Sequence, residues 1–173
     1  MKNTNYEIKA KSPEEKQRKI KKFLNKNNTE FKGVDHQIDT YFKIPEGRLK
    51  IRKGNIENSL IYYNRENEKV SKRSEIEMYS IPDDSYLEKM VRENRDILVE
   101  VDKKREIYFI NNVKFHLDDV KNLGKFIEIE AISENGSLSE KKIKEQCDYY
   151  KRLFGIEDSE LIENSYSDML LNK

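Results

Sequence analysis

The protein has 173 residues, of which 39% are charged and 35% hydrophobic, and its 34 basic and 33 acidic residues leave a net charge of +1. So small a basic excess argues against a general nucleic-acid-binding protein. No stretch approaches the ~20 apolar residues of a membrane-spanning helix, and the single cysteine, Cys147, excludes an internal disulfide bond.

Alternating and apolar segments predict eight β-strands along the chain. The predicted strands cover residues 5–11, 29–42, 47–53, 59–65, 71–81, 97–110, 113–120 and 125–133. Gly33 is expected to interrupt the second strand. Asn111-Asn112 and residues 121–124 are expected to form tight turns between the last three strands, because Asn and Gly tolerate a positive φ. Connections this short predict antiparallel neighbours.

Three helices and a short helical tail are predicted around these strands. Ser12 is expected to cap the first helix, residues 82–85 the second, and Ser137, with Glu140 three positions later, the third. The side chains expected on the buried faces of the second and third helices are Leu87, Met90, Val91, Ile143, Cys147, Leu153 and Phe154. Cys147 is therefore interpreted as a core residue and not as a nucleophile.

Charged and apolar side chains alternate along the predicted strands, and a strand sends successive side chains to opposite faces. The third strand places Arg48, Lys50 and Arg52 on one face and Leu49 and Ile51 on the other. The charged faces of other strands hold Glu7, Lys9 and Lys11; Lys114, His116 and Asp118; and Glu128 and Glu130. Helices must cover the apolar face, which leaves the charged face for the interior. We therefore predict an α+β fold: a closed eight-stranded antiparallel β-barrel with helices packed on its outside.

The inward charges suit a triphosphate and its metal ion. Arginine offers forked donors, and lysine a point charge, to phosphate oxygens. The basic residues expected around such a ligand are Arg48, Lys50, Arg52, Arg65, Lys72, Lys103 and Arg105. Mg²⁺ or Mn²⁺ prefers carboxylate oxygens together with substrate phosphates. The residues expected near the metal ion are Glu7, Asp118, Glu128 and Glu130, with His116 beside them to hydrogen-bond a phosphate or an acid.

Several segments together resemble one protein family. They are residues 6–11, 37–42, 45–52, 61–65, 72–74, 116–120, 123–130 and 165–171. On these segments the chain resembles the CYTH family, the triphosphate tunnel metalloenzymes, and most of all its class IV adenylyl cyclase-like branch. The resemblance implies an eight-stranded barrel whose lumen binds a triphosphate with a divalent metal ion, Mg²⁺ or Mn²⁺.

The resemblance also implies roles for individual residues. It implies phosphate binding by Lys9, Lys11, Arg48, Lys50, Arg52, Arg65, Lys72 and Arg105. It implies metal binding by Glu7, Glu128 and Glu130, with Asp118 beside them, and on this basis the catalytic role is expected of Glu7, Lys9 and Lys72. The chain departs from the family at one position. The signature Glu-x-Glu-x-Lys begins here with Asn5, whose amide oxygen can ligate a metal ion but brings no negative charge.

Four functions follow from this interpretation. The first is an adenylyl cyclase, which converts ATP to cyclic AMP and pyrophosphate, and the second is a triphosphatase acting on tripolyphosphate, a nucleoside triphosphate or thiamine triphosphate. The third is a non-catalytic polyphosphate-binding module, and the fourth a structural barrel laced by cross-strand ion pairs. The amino terminus lacks the apolar run of a signal peptide. We expect a cytoplasmic protein of one domain over residues 1–173, with a small-molecule triphosphate as partner, no nucleic acid or membrane, and a homodimer left open.

Overall fold

The computed structural model describes residues 4–27, 29–64, 75–82 and 85–173. In this part of the chain the strands are β1 (Thr4–Lys11), β2 (Glu30–Phe42), β3 (Arg48–Lys53), β4 (Ser59–Asn64), β5 (Glu75–Ser80), β6 (Ile97–Ile110), β7 (Val113–Val120) and β8 (Gly124–Ser133). The α-helices are α1 (Glu14–Lys26), α2 (Leu87–Asn94), α3 (Glu140–Leu153) and α4 (Tyr166–Leu171). Within these ranges no helix is long and apolar enough to cross a membrane. Arg65 and Lys72, with the strand ends predicted around them, lie outside the described residues.

The strands form one antiparallel sheet in the order β1-β8-β7-β6-β2-β3-β4-β5. Positive φ angles at Asn111 (52°), Asn122 (67°) and Gly124 (98°) form the turns that join β6 to β7 and β7 to β8. The pairing of β2 with β6 shifts its register between Phe31 and Gly33, whose φ is 130°. The antiparallel sheet, both tight turns and the interruption at Gly33 are therefore confirmed.

The sheet is curled into a half-barrel. β1 and β5 are its two ends, and no pairing between them occurs among the described residues. Closure of the barrel therefore stays a prediction.

The outer face of β1, β7 and β8 is covered by α1 and α3, as predicted. The buried side chains of this layer include Ile8, Ala10, Phe115, Ile127 and Ile129 from the strands and Ile20, Leu24, Ile143 and Cys147 from the helices. The Cys147 thiol donates to the Tyr6 carbonyl oxygen at 3.3 Å, and burial raises its pKa to about 12. Cys147 is thus a core residue whose thiol stays protonated.

All three predicted helix starts differ from the prediction. The N-cap of α2 is Tyr86, one residue after the expected 82–85. Pro13, not Ser12, is the N-cap of α1. The Ser12 backbone N–H donates to the carbonyl oxygen of Lys125 at 3.0 Å, which continues the extended pairing beyond β1. Ser139, not Ser137, caps α3, and its hydroxyl accepts a backbone N–H of the first turn at 3.2 Å.

The predicted buried face of α2 is wrong. The helix begins after Tyr86, and none of its residues is buried. Met90 is 56% exposed, and Leu153 of α3, also expected inside, is 44% exposed. Glu88 instead anchors α2 to the sheet through an ion pair with Lys53 of β3. Within the helix, Glu88 also pairs with Arg92. The amphipathic pattern of this short helix therefore does not mark a buried face.

α4 fills one end of the half-barrel from the inside. Its Tyr166 packs against Phe126, with ring centroids 5.0 Å apart, and the two join Tyr41, Val101 and Val120 in a second buried cluster. These strand residues share a face with the inward charges. The interior is therefore apolar at the α4 end and charged beyond it.

Candidate functional site

The inner face of the half-barrel encloses a cavity of about 250 Å³, called the lumen below. Among the described residues that line the lumen, six are basic and five are acidic. The basic ones are Lys9, Lys50, Arg52, Lys103, Arg105 and Lys114, and the acidic ones are Glu7, Asp39, Glu57, Glu128 and Glu130. The charged face of the strands thus lies inside, as the alternation predicts.

Asp39 of β2 holds three cations at once. Its carboxylate accepts hydrogen bonds from Lys50 Nζ at 2.8 Å, Lys103 Nζ at 2.9 Å and the Arg52 guanidinium at 2.8 and 3.0 Å. Burial opposes the charge on Asp39, but Lys103, Lys50 and Arg52 outweigh it and hold the pKa of this carboxyl well below its usual value. Burial also lowers the pKa of Lys103 to about 7. One carboxylate does not neutralise three cations, so this cluster has a positive charge to offer an anion.

A second buried network is built on Arg105 of β6. Its guanidinium forms a fork to Asp118 at 2.7 and 2.6 Å and also donates to Glu128 at 2.7 Å. Asp118 is fully buried and accepts a further bond from the Tyr166 hydroxyl at 2.8 Å. It lies behind Arg105 and does not line the lumen. Asp118 therefore orients Arg105. The contacts of Asp118 do not support the prediction that it is a metal ligand.

Glu128 of β8 is surrounded by donors. Besides Arg105, it forms an ion pair with Lys9 Nζ at 3.2 Å and accepts from His116 Nδ1 at 3.1 Å. Burial and then Arg105 lower the pKa of His116 to about 4, so the imidazole is neutral and its Nδ1–H donates to the Glu128 carboxylate. His116 Nε2 is buried and has no partner among the described residues. The lumen therefore presents one bare imidazole nitrogen, an acceptor.

Two further acids, Glu7 and Glu130, form the edge of the lumen between β1 and β8. Glu7 and Glu130 are direct cross-strand partners, and like charges in that position repel. Burial and then Glu7 raise the pKa of Glu130. Asn5 Nδ2 donates to Glu130 Oε1 at 2.6 Å, and Lys9 Nζ lies 4.0 Å from Glu7 Oε1. Of all lumen acids, this pair has the least compensation from cations.

The Glu7–Glu130 pair fits a hard divalent cation that has further oxygen ligands. Carboxylate and amide oxygens are the donors that Mg²⁺ and Mn²⁺ prefer, and Mg²⁺ is usually held by one or two carboxylates plus substrate phosphates. The described residues contain no group of three or more His, Cys, Asp or Glu side chains arranged around a cation. A metal ion at this edge would therefore depend on phosphate oxygens and water for the rest of its coordination.

Three lumen residues were not assigned a role from the sequence. The alternation placed Lys114 on the charged face of its strand with His116 but gave it no role, and the same alternation could have identified Asp39 on β2. Glu57 lies between β3 and β4, where no periodicity applies. It contacts Lys114 Nζ at 3.1 Å and Arg52 Nη1 at 2.9 Å.

The structure brings most of the predicted site residues together. Those lining the lumen are Glu7, Lys9, Lys50, Arg52, Lys103, Arg105, His116, Glu128 and Glu130. Lys11, the last residue of β1, is exposed to solvent. Arg48, the first residue of β3, turns toward α4, where it pairs with Asp168 at 2.8 Å. Neither lines the lumen. Arg48 stays on the inner face, opposite Tyr63, but it contacts α4, which fills that end of the interior.

Comparisons with known proteins agree with this architecture. The family model of the CYTH domain matches residues 3–166. The structure of the PH1012 protein from Pyrococcus horikoshii is 25% identical, with a TM-score of 0.78 over 95% of this chain and 98% of that one. A candidate adenylate cyclase from Vibrio parahaemolyticus is 16% identical, with a TM-score of 0.72 over 95% and 97% of the two chains.

A third solved structure is of HpAC1 from Hippeastrum, a candidate adenylyl cyclase described as having a dominant triphosphatase activity. It is 13% identical, with a TM-score of 0.65 over 99% of this chain and 95% of that one. A search of curated protein sequences found no match.

Proposed function

This chain belongs to the CYTH domain family, and we propose that it is a divalent-metal-dependent enzyme that acts on a triphosphate compound in its lumen. The observation that carries the proposal is the cluster around Asp39, where three buried cations share one carboxylate. A phosphate chain carries many oxygens and several negative charges, and it would satisfy these cations better than one carboxylate does. The closed tunnel, the single domain and the cytoplasmic location belong to the same proposal.

Within this proposal the basic residues bind the phosphate chain. Lys50, Arg52 and Lys103 hold phosphate oxygens, and Arg105 is kept in place for the same task by Asp118 and Glu128. Glu7 and Glu130 hold the metal ion, which when bound would neutralise phosphate charge and lower the pKa of the attacking hydroxyl or water. Lys9 lies between Glu7 and Glu128 and is positioned to bind the phosphate next to the metal ion. Lys72, outside the described residues, keeps its predicted catalytic role.

The specific reaction we propose is conversion of ATP to cyclic AMP and pyrophosphate. It is supported by the resemblance of the whole chain to the class IV branch. Triphosphate hydrolysis is the second candidate, because the charged lumen contacts described above need nothing from the substrate except phosphate. The relatives with this fold include a candidate cyclase and one whose triphosphatase activity dominates. A non-catalytic binding module is the third candidate, favoured by the neutral Asn5 beside Glu130.

Two measurements test the proposal. Thermal melting with tripolyphosphate or ATP and Mn²⁺ should show stabilisation of roughly 2.7 kcal/mol at ~100 times the dissociation constant, and inorganic phosphate should do far less. Lys50→Ala should abolish the shift. Lys53→Ala, on the same strand with its side chain 61% exposed, is the matched control and should keep it. Equal shifts from phosphate and tripolyphosphate would overturn the proposal.

Product analysis then separates the candidates. The protein is incubated with ATP and Mn²⁺, and the nucleotides are separated. Cyclic AMP with pyrophosphate identifies the cyclase, and ADP with phosphate the triphosphatase. Binding without turnover of ATP, tripolyphosphate or thiamine triphosphate identifies the binding module.

A further inference from the structure

A buried aspartate anchors the segment between β3 and β4. Asp35 of β2 is fully buried, and its carboxylate accepts the backbone N–H groups of Asn55, Ile56 and Glu57 at 2.6, 2.9 and 3.1 Å. Gly54 lies against the same carboxylate, where a Cβ would stand 2.5 Å from Asp35 Oδ1. Three anchored amides in succession fix the backbone of residues 55–57. The direction in which the Glu57 side chain leaves this segment is therefore set by the fold.

The Glu57 carboxylate reaches between two walls of the lumen. It contacts Arg52 Nη1 at 2.9 Å on β3 and Lys114 Nζ at 3.1 Å on β7, and it accepts from Gln37 Nε2 at 3.1 Å. In the sheet, β2 and β6 separate β3 from β7. The two cations meet at one carboxylate because the sheet is curled and brings β3 and β7 to face each other. Burial opposes the charge on Glu57, but Lys114 and then Arg52 lower its pKa to about 2.

Carboxylates and phosphates are bound by the same donors. A guanidinium and an ammonium that meet at one carboxylate have the arrangement that a phosphate group would use. We propose that Arg52 and Lys114 form a phosphate subsite, which the Glu57 carboxylate occupies in the ligand-free protein and leaves when a phosphate chain binds. This inference rests on the proposed function, since it assigns one end of the triphosphate to these two residues.

Glu57 is suited to leave, whereas Asp39 is not. The Glu57 side chain is 27% exposed and follows a segment outside the strands, so its torsions can turn without disturbing the sheet. Asp39 lies within β2, its side chain is 3% exposed, and three cations hold it. Removing Asp39 would leave buried charges unpaired, at a high cost in stability. Of these two carboxylates, Glu57 is the one that competes with the ligand.

The test is the affinity for tripolyphosphate, measured by calorimetry in EDTA. Glu57→Gln should bind about tenfold more tightly than the unchanged protein, because the competing charge is gone. Lys114→Met should bind about tenfold more weakly. In the double variant the gain from Glu57→Gln should shrink to less than about threefold, because part of the subsite is missing. Melting temperatures without ligand establish that each variant is folded.

A matched control separates competition from general charge. Glu7→Gln also removes a lumen carboxylate, but Glu7 makes no ion pair with Arg52 or Lys114. Without metal it should tighten tripolyphosphate binding by less than about threefold. Equal gains from Glu7→Gln and Glu57→Gln, or unchanged binding in Lys114→Met, would overturn the subsite and leave the proposed function standing. Failure of the unchanged protein to bind tripolyphosphate or ATP with Mn²⁺ would overturn both.

Discussion

Asn5 Nδ2 lies 2.6 Å from Glu130 Oε1, so the amide acts as a donor to a carboxylate inside the lumen. The contact relieves an acid that has another acid, Glu7, directly opposite it on β1. The neutral residue thus compensates part of the repulsion at this edge without a metal ion. The contact also directs the amide nitrogen, and not the amide oxygen, at Glu130.

Asn5→Glu should lower the stability of the metal-free protein and raise the affinity for the metal ion. A third carboxylate beside Glu7 and Glu130 adds repulsion, of roughly 0.2–1 kcal/mol for a close like-charge pair, and gives a hard cation a charged oxygen in place of an amide. Thermal melting during a Mn²⁺ titration should show a lower starting temperature and a lower Mn²⁺ midpoint. Asn5→Gln, which keeps the amide, should show neither. The same midpoint in Asn5→Glu and the unchanged protein would mean that residue 5 is not near the metal ion.

Glu128 and Glu130 should differ sharply when each is replaced by glutamine. Glu128→Gln removes the buried counter-charge of Lys9 and one of the two that Arg105 has, since Asp118 remains, and should lower the free energy of unfolding by about 3 kcal/mol. Glu130→Gln should change it by less than about 1 kcal/mol, since the folded protein already disfavours the charge at this position. Urea unfolding followed by circular dichroism measures both. Similar losses in the two variants would contradict the structural role given to Glu128.

Lys103 should couple phosphate binding to pH. Its pKa falls to about 7 in the folded protein from a usual value of 10.5. Between these values the unfolded chain holds a proton that the folded protein has lost, so this group's contribution to stability rises with pH across that window. A phosphate chain needs the charged ammonium, so binding takes up the proton.

Affinity for tripolyphosphate should therefore decline above about pH 7, by up to tenfold per pH unit from this group. Lys103→Arg keeps its charge and should lack this part of the pH dependence. Titration of the ligand affects both proteins equally, so the difference between their profiles reports Lys103 alone. Dissociation constants of both proteins from pH 6 to 9 provide the comparison. Parallel pH profiles would exclude Lys103 as the linked group.

Arg48→Ala should act on stability more than on binding. Arg48 holds α4 through Asp168 at 2.8 Å and the Ser165 hydroxyl at 2.9 Å, so its loss should lower the free energy of unfolding by roughly 1–2 kcal/mol. Affinity for tripolyphosphate should stay within about threefold, whereas Lys50→Ala should lose it almost completely. Melting and calorimetry on both variants distinguish the roles. Equal losses of affinity in the two variants would indicate that Arg48 binds phosphate, as the sequence predicted.

The sequence was informative where a repeating pattern applies. Alternation along β3, β7 and β8 predicts which side chains enter the lumen, because every second residue of a strand must share a face. The pattern does not identify Glu57, whose position depends on hydrogen bonds from a neighbouring strand. It gives the correct face for Arg48 but does not predict that α4 fills that end of the interior and takes Arg48 as its partner. Pairing between particular charges, such as Asp39 with three cations, depends on distances across the sheet that no single strand contains.

The buried carboxylate of Asp35 has a consequence for how the chain can vary. Any side chain at position 54 would displace that carboxylate and release the amides that hold residues 55–57. A relative that lacks the glycine should therefore also lack the aspartate, and should connect these strands differently. A change at position 54 should therefore be accompanied by a change at position 35 during divergence, although neither touches the proposed ligand. Such paired variation would trace how relatives gained or lost the carboxylate of Glu57.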